Sequence, residues 1–405
     1  MASTFRELAD WAVAFAPTES DLRLARTALT DTLAVTLAAE HEPIVEHTAG
    51  LPAALRWTAI GHTLDFDDVH LPSTSHISVV CASATLTVGG GDREFLAAAG
   101  VMARLGTALG WGHYQRGWHA TCTAGAPAAA VAAALGLGLG AEGVLRAMAL
   151  AVPAAGGLQR AFGTEAKPLQ VGFATDAGVR AARLAAAGAS ADPAALDHWF
   201  DLVGGEHGLD LSGPAVPDGL AVKPFPCCYA LQRPIGATRL FGPVPLDQVA
   251  SVEMLVEEST LQPLVHHRPR TGAEGKFSLP YAVAATLVDG FPTAASFTDA
   301  AVARPEIVVL LDRTAVRTRP GGSGVLAGDT TIEIGLTDGS TTRRALRLPP
   351  GHPAAPLAPD ELVAKITGCV GPERSRQVAT AGWAEAARIL AEAFPPDTAV
   401  PESRK

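Results

Sequence analysis

Cysteine is scarce in this chain and is not arranged in the pairs that stabilise small extracellular domains. Five cysteines occur among 405 residues, and no two of them form a C-x-x-C pattern. An odd number without such spacing fits neither a disulfide framework nor a zinc finger. The sequence therefore predicts free thiols and favours a reducing, cytoplasmic location.

Positive charge is also scarce. Charged side chains make up only 18% of the sequence, the formal net charge is −10 at pH 7, and the basic residues form no run. A protein that binds nucleic acid by neutralising phosphates needs the opposite balance, so we expect no nucleic-acid partner.

Apolar runs long enough for a membrane are missing as well. The apolar stretch 126–140 is shorter than the about 18–20 residues that span a bilayer, and it predicts a buried helix. Near the N-terminus, Arg6, Glu7 and Asp10 interrupt the apolar segment that an export signal requires. We therefore expect neither a membrane segment nor a secretory signal.

The chain is rich in apolar residues that can form a large core. Hydrophobic residues make up 48% of the sequence, and its length favours two domains. Over residues 5–188 the apolar positions recur with helical spacing, Gly188 is a predicted helix C-cap, and the helical period returns after residue 358. The sequence predicts a mainly α protein: a large all-helical domain, 1–225 completed by helices in 358–405, and a smaller α+β domain, 226–357.

The predicted α+β domain is distinguished by its β-branched residues. Three segments have strand character: VASVEMLVEES at 249–259, EIVVLLDR at 306–313 and TTIEIGLTDGSTTRRALRL at 330–348. The pair Asp338-Gly339 inside the last segment is a strong hairpin signal. We expect a small antiparallel sheet accompanied by a few helices.

The stretch GHTLDFDDVHLPSTSH, 61–76, concentrates polar chemistry in an otherwise apolar chain. Its aspartate spacing resembles the start of a calcium loop, but the glycine and the closing glutamate of that pattern are missing, so we predict no metal site. Asp67 and Asp68 are predicted to cap a helix or turn, and His70 to be exposed. Asp65, in an apolar frame, and His76, before an apolar segment, are the candidates for chemistry.

Two further candidates precede predicted helices. His119 comes just before a long apolar helix, whose dipole favours the neutral imidazole and makes it a plausible base near pH 7. Lys167 precedes Pro168, a residue favoured in the first turn of a helix, so its ammonium and the free N–H groups of that turn together suit a carboxylate ligand. The alternative for Lys167 is a surface pair with Glu165.

The second half of the chain adds a cation, a thiol pair and a phenol. Lys223 lies in the run KPFPCC, which must be extended and stiff where the chain enters the α+β domain. The adjacent Cys227 and Cys228 are predicted to pack rather than to pair. Tyr281 opens an apolar helix in GAEGKFSLPYAVAATLVDG and offers a phenol as donor or acid.

Five motifs, in this order, resemble the MmgE/PrpD family, which includes 2-methylcitrate dehydratase, cis-aconitate decarboxylase and iminodisuccinate epimerase. They are HTLDFDDVH with a later histidine, GWHATCTAGAPAAA, KPLQVGFATDAGVRAARLAAAG, KPFPCC and KFSLPYAVAATLVDG, and they span most of the chain. The resemblance implies a large all-α domain with a smaller α+β lid, a homodimer, and a positively charged active site between the domains that needs neither metal nor organic cofactor. Carried over by motif, the family's site positions fall on Asp65, His76, His119, Lys167, Lys223 and Tyr281.

The chain departs from the family pattern at three positions. Val69 stands where cis-aconitate decarboxylase has a site threonine, and Cys228 stands where it has a lid histidine that faces the substrate. Gln170 replaces the histidine often found in the family's KPLHxG motif. The loss of the lid histidine argues against that decarboxylase, and Cys228 is expected to lie beside the substrate.

The resemblance implies a small di- or tricarboxylate substrate and a bond made or broken next to a carboxylate or carbonyl. His119 is then the expected base, and Lys167 and Lys223 would hold carboxylates. His76, oriented by Asp65, would be either the acid that protonates a departing hydroxyl or a second base. The first role predicts a cofactor-independent lyase of the dehydratase type and the second an epimerase; a decarboxylase and a non-catalytic metabolite-binding protein are further alternatives.

Overall fold

The structure is a computed structural model that describes residues 3–395. Within this range the chain forms seventeen α-helices and four β-strands. The first ten helices precede the strands: α1 Thr4–Ala14, α2 Glu19–Ala38, α3 Ile44–His47, α4 Ala53–Thr63, α5 Ile77–Thr87, α6 Asp92–Gln115, α7 Ala120–Gly136, α8 Ala141–Ala151, α9 Ala166–Ala186 and α10 Ala194–Val203. The remaining elements are α11 Tyr229–Arg239, β1 Val249–Glu257, α12 Gly272–Gly275, α13 Leu279–Asp289, α14 Asp299–Val302, α15 Pro305–Asp312, β2 Thr314–Arg319, β3 Thr330–Leu336, β4 Thr341–Leu346, α16 Pro359–Thr380 and α17 Trp383–Ala393.

The centre of the helical body is α7, which is buried from Ala120 to Leu135 as its apolar sequence predicts. Its small side chains let α9 approach closely. A Cβ added at Gly178 of α9 would lie 2.5 Å from the carbonyl oxygen of Ala126 and 2.6 Å from the side chain of Ala129, so only glycine fits at that crossing. The close packing of α5, α7 and α9 in one core brings the first residues of these three helices near one another.

The predicted end of α9 is confirmed. Gly188 has a left-handed backbone with φ of 89°, and its N–H donates to the carbonyl oxygen of Ala185. Such a residue just beyond the last helical turn satisfies carbonyl groups that the helix leaves free.

Among the helices of residues 3–395, one is long and apolar enough to cross a membrane by length and composition. In α6 the apolar window is 72% buried inside the protein, which is typical of a core helix in a folded domain. A left-handed Gly110 also kinks α6 near its C-terminal end.

The four strands form one mixed sheet in the order β2-β1-β3-β4. The β3–β4 hairpin predicted at Asp338-Gly339 is confirmed, with φ of 87° at Gly339. The expectation of a wholly antiparallel sheet is wrong, because β1 pairs with β2 in parallel. The chain between these two strands contains α12 to α15, and a parallel pair requires such a long crossover.

The segment EIVVLLDR, expected to be a strand, is helix α15. Pro305 stands at its first turn, where a missing N–H costs nothing. Ile307 and Leu310, one turn apart, are buried in the core of the smaller domain, whereas Val308 and Val309 are about half exposed. The helical spacing of the buried positions therefore outweighs the strand propensity of the valines.

The C-terminal helices pack on the helical body. Helix α16 packs against α2, and α17 packs against α2 and α5. Lys365 of α16 forms a buried ion pair with Asp31 of α2 at 2.6 Å and donates to the carbonyl oxygen of Phe66 at 3.1 Å. Residues 396–405, which the sequence assigns to this part, lie outside the described residues.

The side chain of His70 is buried, so the expectation that it is exposed is wrong. Its Nε2 donates to the carbonyl oxygen of Pro217 at 2.7 Å, and its Nδ1 accepts from the hydroxyl of Ser73 at 2.8 Å. Burial lowers the pKa of His70 to about 4. The neutral imidazole thus links the polar loop 64–76 to the segment that leads towards the smaller domain.

This burial makes the stability of the protein depend on pH. In the unfolded chain the pKa of His70 returns to about 6.5, so unfolding takes up a proton between pH 6.5 and pH 4. The stability that the neutral histidine contributes is complete above pH 6.5 and is lost as the pH falls towards 4. We expect His70→Gln to reduce the pH dependence of the free energy of unfolding near pH 5 by about 1.4 kcal/mol per pH unit, measured by denaturant titration. The exposed His198→Gln is the control, and equal slopes in the wild type and His70→Gln would contradict the prediction.

Candidate active site

Most of the polar side chains at the site come from the loop between α4 and α5. Asp65 has a left-handed backbone with φ of 51°, which is uncommon outside glycine but tolerated by aspartate. Val69 and Ala221 exchange two backbone hydrogen bonds, of 3.0 Å and 2.8 Å. This pairing fixes the loop against the segment that contains Lys223.

The carboxylate of Asp65 bridges two buried lysines. Its Oδ2 lies 3.1 Å from the Nζ of Lys167 on α9, and its Oδ1 accepts a short hydrogen bond from the Nζ of Lys223. The three side chains are at most 5% exposed. Burial by itself would raise the pKa of Asp65, but the two ammonium groups outweigh it and hold that pKa well below its usual range.

A second carboxylate, Asp67, lies between two histidines. Its Oδ2 is 2.8 Å from the Nδ1 of His62 and 3.0 Å from the Nδ1 of His76. Burial would raise the pKa of Asp67, but the two imidazoles outweigh it and hold the pKa well below its usual range, so the carboxylate is ionised. The Nδ1 of His62 must then carry the proton, because it forms a hydrogen bond with the carboxylate. The Nδ1 of His76 forms no hydrogen bond within residues 3–395, but its proximity to the same anionic oxygen favours the proton on this nitrogen. Accordingly, the Nε2 of His62 accepts from Lys167 at 2.7 Å.

His76 and His119 occupy equivalent places in the fold. Each is the residue that immediately precedes a helix, His76 before α5 and His119 before α7, and the backbone N–H of His76 donates to the hydroxyl of Thr121 at 3.1 Å. Burial lowers the pKa of His76 to about 3. Burial, reinforced by Lys167, holds the pKa of His119 well below its usual range. Both imidazoles are therefore neutral at pH 7, as the sequence predicts for His119.

The Nδ1 atoms of the two histidines contact different groups. His76 has the carboxylate of Asp67 at its Nδ1, whereas the Nδ1 of His119 lies 2.8 Å from the amide nitrogen of Gln170 and 3.3 Å from the Sγ of Cys122. The Nε2 of His76 lies 3.8 Å from the Oδ1 of Asp65. The two rings are thus held by an anion in one case and by neutral groups in the other.

These side chains enclose a small cavity of about 40 Å³, which has room for only a few water molecules. A wider cleft of about 350 Å³ lies beside it, and the two share Asp65, Lys167 and Phe277 as a common wall. The smaller cavity is lined from both parts of the fold, by Asp65, Val69, Leu71, Thr74, His76, Tyr114, His119, Phe162, Lys167, Cys228, Tyr229, Ala230, Pro263, Phe277 and Val325.

Most of the residues predicted for the site come together. Asp65, His76, His119, Lys167 and Cys228 line the cavity, and Lys223 lies directly behind Asp65. Burial, to which Asp65 adds, raises the pKa of the Cys228 thiol to about 12, so the thiol stays protonated. The alternative for Lys167 fails, since Glu165 contacts His47 instead.

Tyr281 lies apart from the cavity. It is fully buried inside the smaller domain, and its hydroxyl donates a short hydrogen bond to the carbonyl oxygen of Ser296. Two phenols do line the cavity, but they belong to Tyr114 of α6 and Tyr229 of α11. Burial raises the pKa of Tyr114 well above its usual range, so it can only act as a neutral donor or acceptor.

Sequence reasoning missed four residues of the site: His62, Asp67, Tyr114 and Lys276. His62 and Asp67 lie in the same polar stretch as Asp65, and their spacing of five residues gave no sign that they pair. Lys276 lies in the motif that contains Tyr281 and donates to the carbonyl oxygen of Thr63 at 3.0 Å. The predicted capping role is confirmed for Asp68, whose carboxylate accepts from the N–H of Ser78 at 3.2 Å in the first turn of α5. It is wrong for Asp67, whose carboxylate faces the imidazoles of His62 and His76 instead.

Within residues 3–395, one group of side chains has a spacing that could suit a metal ion. It consists of His62, Asp67 and His76, whose ligand atoms lie within 4.8 Å of one another. Each nitrogen atom that faces Asp67 carries a proton in the arrangement described above, and the Lys167 ammonium occupies the remaining nitrogen of His62. A divalent cation would have to displace these contacts beside a positive charge. The hydrogen bond between His62 and Asp67 and the contact of Lys167 with His62 therefore disfavour a metal ion at this group.

The helical body and the small α+β domain together enclose buried histidines, lysines and aspartates. These features define a two-domain protein whose site suits acid–base chemistry. The MmgE/PrpD N-terminal domain matches residues 46–202, and the MmgE/PrpD C-terminal domain matches residues 225–385. The chain belongs to the MmgE/PrpD family, a family of dehydratase or lyase type that includes hydro-lyases such as 2-methylcitrate dehydratase. No curated protein matches the chain significantly.

Removal of the Asp65 carboxylate should destabilise the folded protein. Asp65→Asn keeps a residue that tolerates the left-handed backbone but leaves the buried Lys223 without its counter-ion. We expect a loss of about 3–5 kcal/mol in the free energy of unfolding, measured by denaturant titration. Asp247→Asn, at an exposed position, is the control, and a loss below about 1 kcal/mol in Asp65→Asn would contradict the proposed importance of the pair.

Proposed function

We propose that this protein is a cofactor-independent lyase of the dehydratase type that acts on a small hydroxy di- or tricarboxylate. The observation that carries the proposal is the placement of the neutral His76, backed by an ionised aspartate, in the same small cavity as the Lys167 ammonium. This combination suits removal of a proton from a carbon next to a bound carboxylate.

The charges around the cavity favour an anionic substrate. The buried ammonium groups of Lys167 and Lys223 face the carboxylates of Asp65 and Asp67, and that of Lys276 faces Glu42 and then Asp65. The first turns of α5, α7 and α9 add the positive ends of three helix dipoles. A substrate carboxylate beside Lys167 would interact favourably with that ammonium group and with these dipoles.

The cavity is smaller than such a substrate, so binding requires the smaller domain to move. Phe277 and Lys167 form the wall between the cavity and the wider cleft, and their displacement would join the two spaces. Closure over the substrate would then exclude water from the charged groups and strengthen their interactions.

The proposed base is His76 rather than His119. Because the Asp67 carboxylate lies 3.0 Å from the Nδ1 of His76 and favours the proton there, the Nε2 atom keeps a free lone pair, and Asp67 stabilises the imidazolium that forms when that lone pair takes a proton. This is the arrangement in which an aspartate orients a catalytic histidine. It differs from the expectation from the sequence, in which His119 was the base and Asp65 oriented His76.

One histidine is enough for the elimination. His76 Nε2 removes the proton from the carbon next to the carboxylate, and the C–H electron pair forms the C=C bond. The C–O bond on the neighbouring carbon breaks, and its electron pair leaves with the hydroxyl group. The His76 imidazolium then returns the proton to this group, which departs as water, so that atoms and charges balance without a co-reactant.

The first prediction of this proposal concerns the product. Incubation of the purified protein in deuterated water with a chelator and a panel of 2-methylcitrate, citrate, cis-aconitate, malate, tartrate and iminodisuccinate should give alkene signals in proton NMR from a hydroxy acid. Deuterium uptake without a new carbon skeleton would indicate epimerase activity instead. Loss of carbon dioxide from the substrate would indicate decarboxylase activity. Broadened ligand lines without reaction would indicate a binding protein and contradict the proposal.

The second prediction concerns the base. His76→Asn should lower kcat by about 10²–10⁴-fold, because the proton acceptor is lost while Lys167 still holds the carboxylate. The exposed His198→Asn provides the matched control and should retain full activity. Retention of activity in His76→Asn, with a folded protein by circular dichroism, would rule out this assignment.

The homodimer and the cytoplasmic location that the sequence analysis implies stay predictions.

A further inference from the structure

We propose that Gln170 is a positioning residue that holds His119 as the Nε2–H tautomer, so that His119 donates a hydrogen bond to the substrate and is not a base. The chemical consequence rests on the function proposed above. The tautomer itself does not, because it follows from contacts made without any substrate.

The orientation of the Gln170 side-chain amide is fixed by one residue of the backbone. Its Oε1 accepts from the N–H of Leu158 at 3.0 Å, and its Nε2 donates to the carbonyl oxygen of the same Leu158 at 3.2 Å. A flipped amide would place oxygen against oxygen and N–H against N–H, so only one orientation satisfies both contacts. Leu158 is held in turn by its backbone bridge to Trp118.

With this orientation the amide presents an N–H group to the histidine. The Nε2 of Gln170 lies 2.8 Å from the Nδ1 of His119, and this distance requires a lone pair on Nδ1. The thiol of Cys122 lies 3.3 Å from the same nitrogen, and burial raises the pKa of this thiol, so it keeps its proton and can also donate. Two donors therefore converge on Nδ1.

The proton of the neutral ring must then lie on the other nitrogen. No residue in 3–395 forms a hydrogen bond with the Nε2 of His119, and His119 lines the cavity. Its ring packs edge-on against Phe162 with ring centroids 5.1 Å apart, which limits its rotation. The Nε2–H group is thus available to a ligand, whereas the Nε2 of His76 on the neighbouring helix presents a lone pair.

This asymmetry separates the two leading reactions. Epimerisation by two bases needs a proton acceptor on each face of the reacting carbon, and the Nε2–H tautomer of His119 has no lone pair there. A neutral imidazole N–H can instead stabilise the negative charge that develops on the substrate carboxylate as the proton leaves. The two histidines together therefore favour the dehydratase over the epimerase.

The test is the tautomer of His119, read by NMR in the full-length protein without substrate. Two-bond proton–nitrogen correlation spectra of protein labelled with nitrogen-15 histidine distinguish the two tautomers, and His119→Gln identifies the signals that belong to His119. We expect the Nε2–H pattern in the wild type. An Nδ1–H pattern in the wild type would overturn the proposal.

Two variants test whether Gln170 is the cause. Gln170→Glu replaces the donating amide with an accepting carboxylate of the same shape and should switch His119 to the Nδ1–H tautomer. Gln170→Met removes the donor without adding an acceptor and should reduce the share of the Nε2–H tautomer. If His119 stays fully in the Nε2–H form in both variants, Gln170 does not set the tautomer and the proposal fails.

A kinetic readout follows once a substrate is known from the panel. Gln170→Glu should lower kcat by about 10²–10³-fold with a much smaller change in KM, because the lost donor acts on charge that develops in the transition state. Gln248→Glu, at an exposed position, controls for the added charge. The proposed lyase activity and the proposed tautomer can fail independently. If no substrate of the panel reacts, the NMR spectra still determine the tautomer of His119. If His119 has the other tautomer, the proposed formation of the alkene by His76 is unaffected.

Discussion

The pairing of Asp65 with Lys167 and Lys223 is the interaction on which the rest of the site depends. It joins three parts of the chain: the loop after α4, the start of α9 and the segment that enters the smaller domain. Each of these charges would be costly to bury alone, so the three side chains stabilise one another only in this arrangement. The same contact leaves Lys167 next to the cavity, where it can exchange part of its interaction with Asp65 for a substrate carboxylate.

A second constraint comes from helix packing. Because α5, α7 and α9 pack closely in one core, their N-terminal ends lie together, and the residues before α5 and α7 are both histidines. Their equivalent positions explain why both are neutral, since each is buried near positive charge. Their partners make them differ: Asp67 turns His76 into a proton acceptor, and Gln170 leaves His119 a donor. Equivalent places in the fold thus support different roles in the chemistry.

The three residues that depart from the family pattern all lie at or next to the cavity. Val69 and Cys228 form parts of the cavity wall, and Gln170 lies behind His119. With a valine and a protonated thiol at these places, the proposed proton-transfer group lies on the helical side, in His76, which the ionised Asp67 orients. The smaller domain contributes mostly uncharged side chains to the cavity wall: Cys228, Tyr229, Ala230, Pro263, Phe277 and Val325.

The sequence by itself determined the mainly α fold, the hairpin at Asp338-Gly339 and the charged residues and histidines that line the cavity, because helical periodicity, turn residues and the family motifs are all local patterns. It did not determine that α15 is a helix, or that β1 and β2 run parallel, because these depend on which face packs against the core and on the path of the crossover. Nor could it show that Asp67 pairs with both His62 and His76, or that Tyr281 lies away from the cavity. Hydrogen-bond partners, and with them the protonation state of each histidine, are decided only when distant segments are brought within about 3 Å of one another.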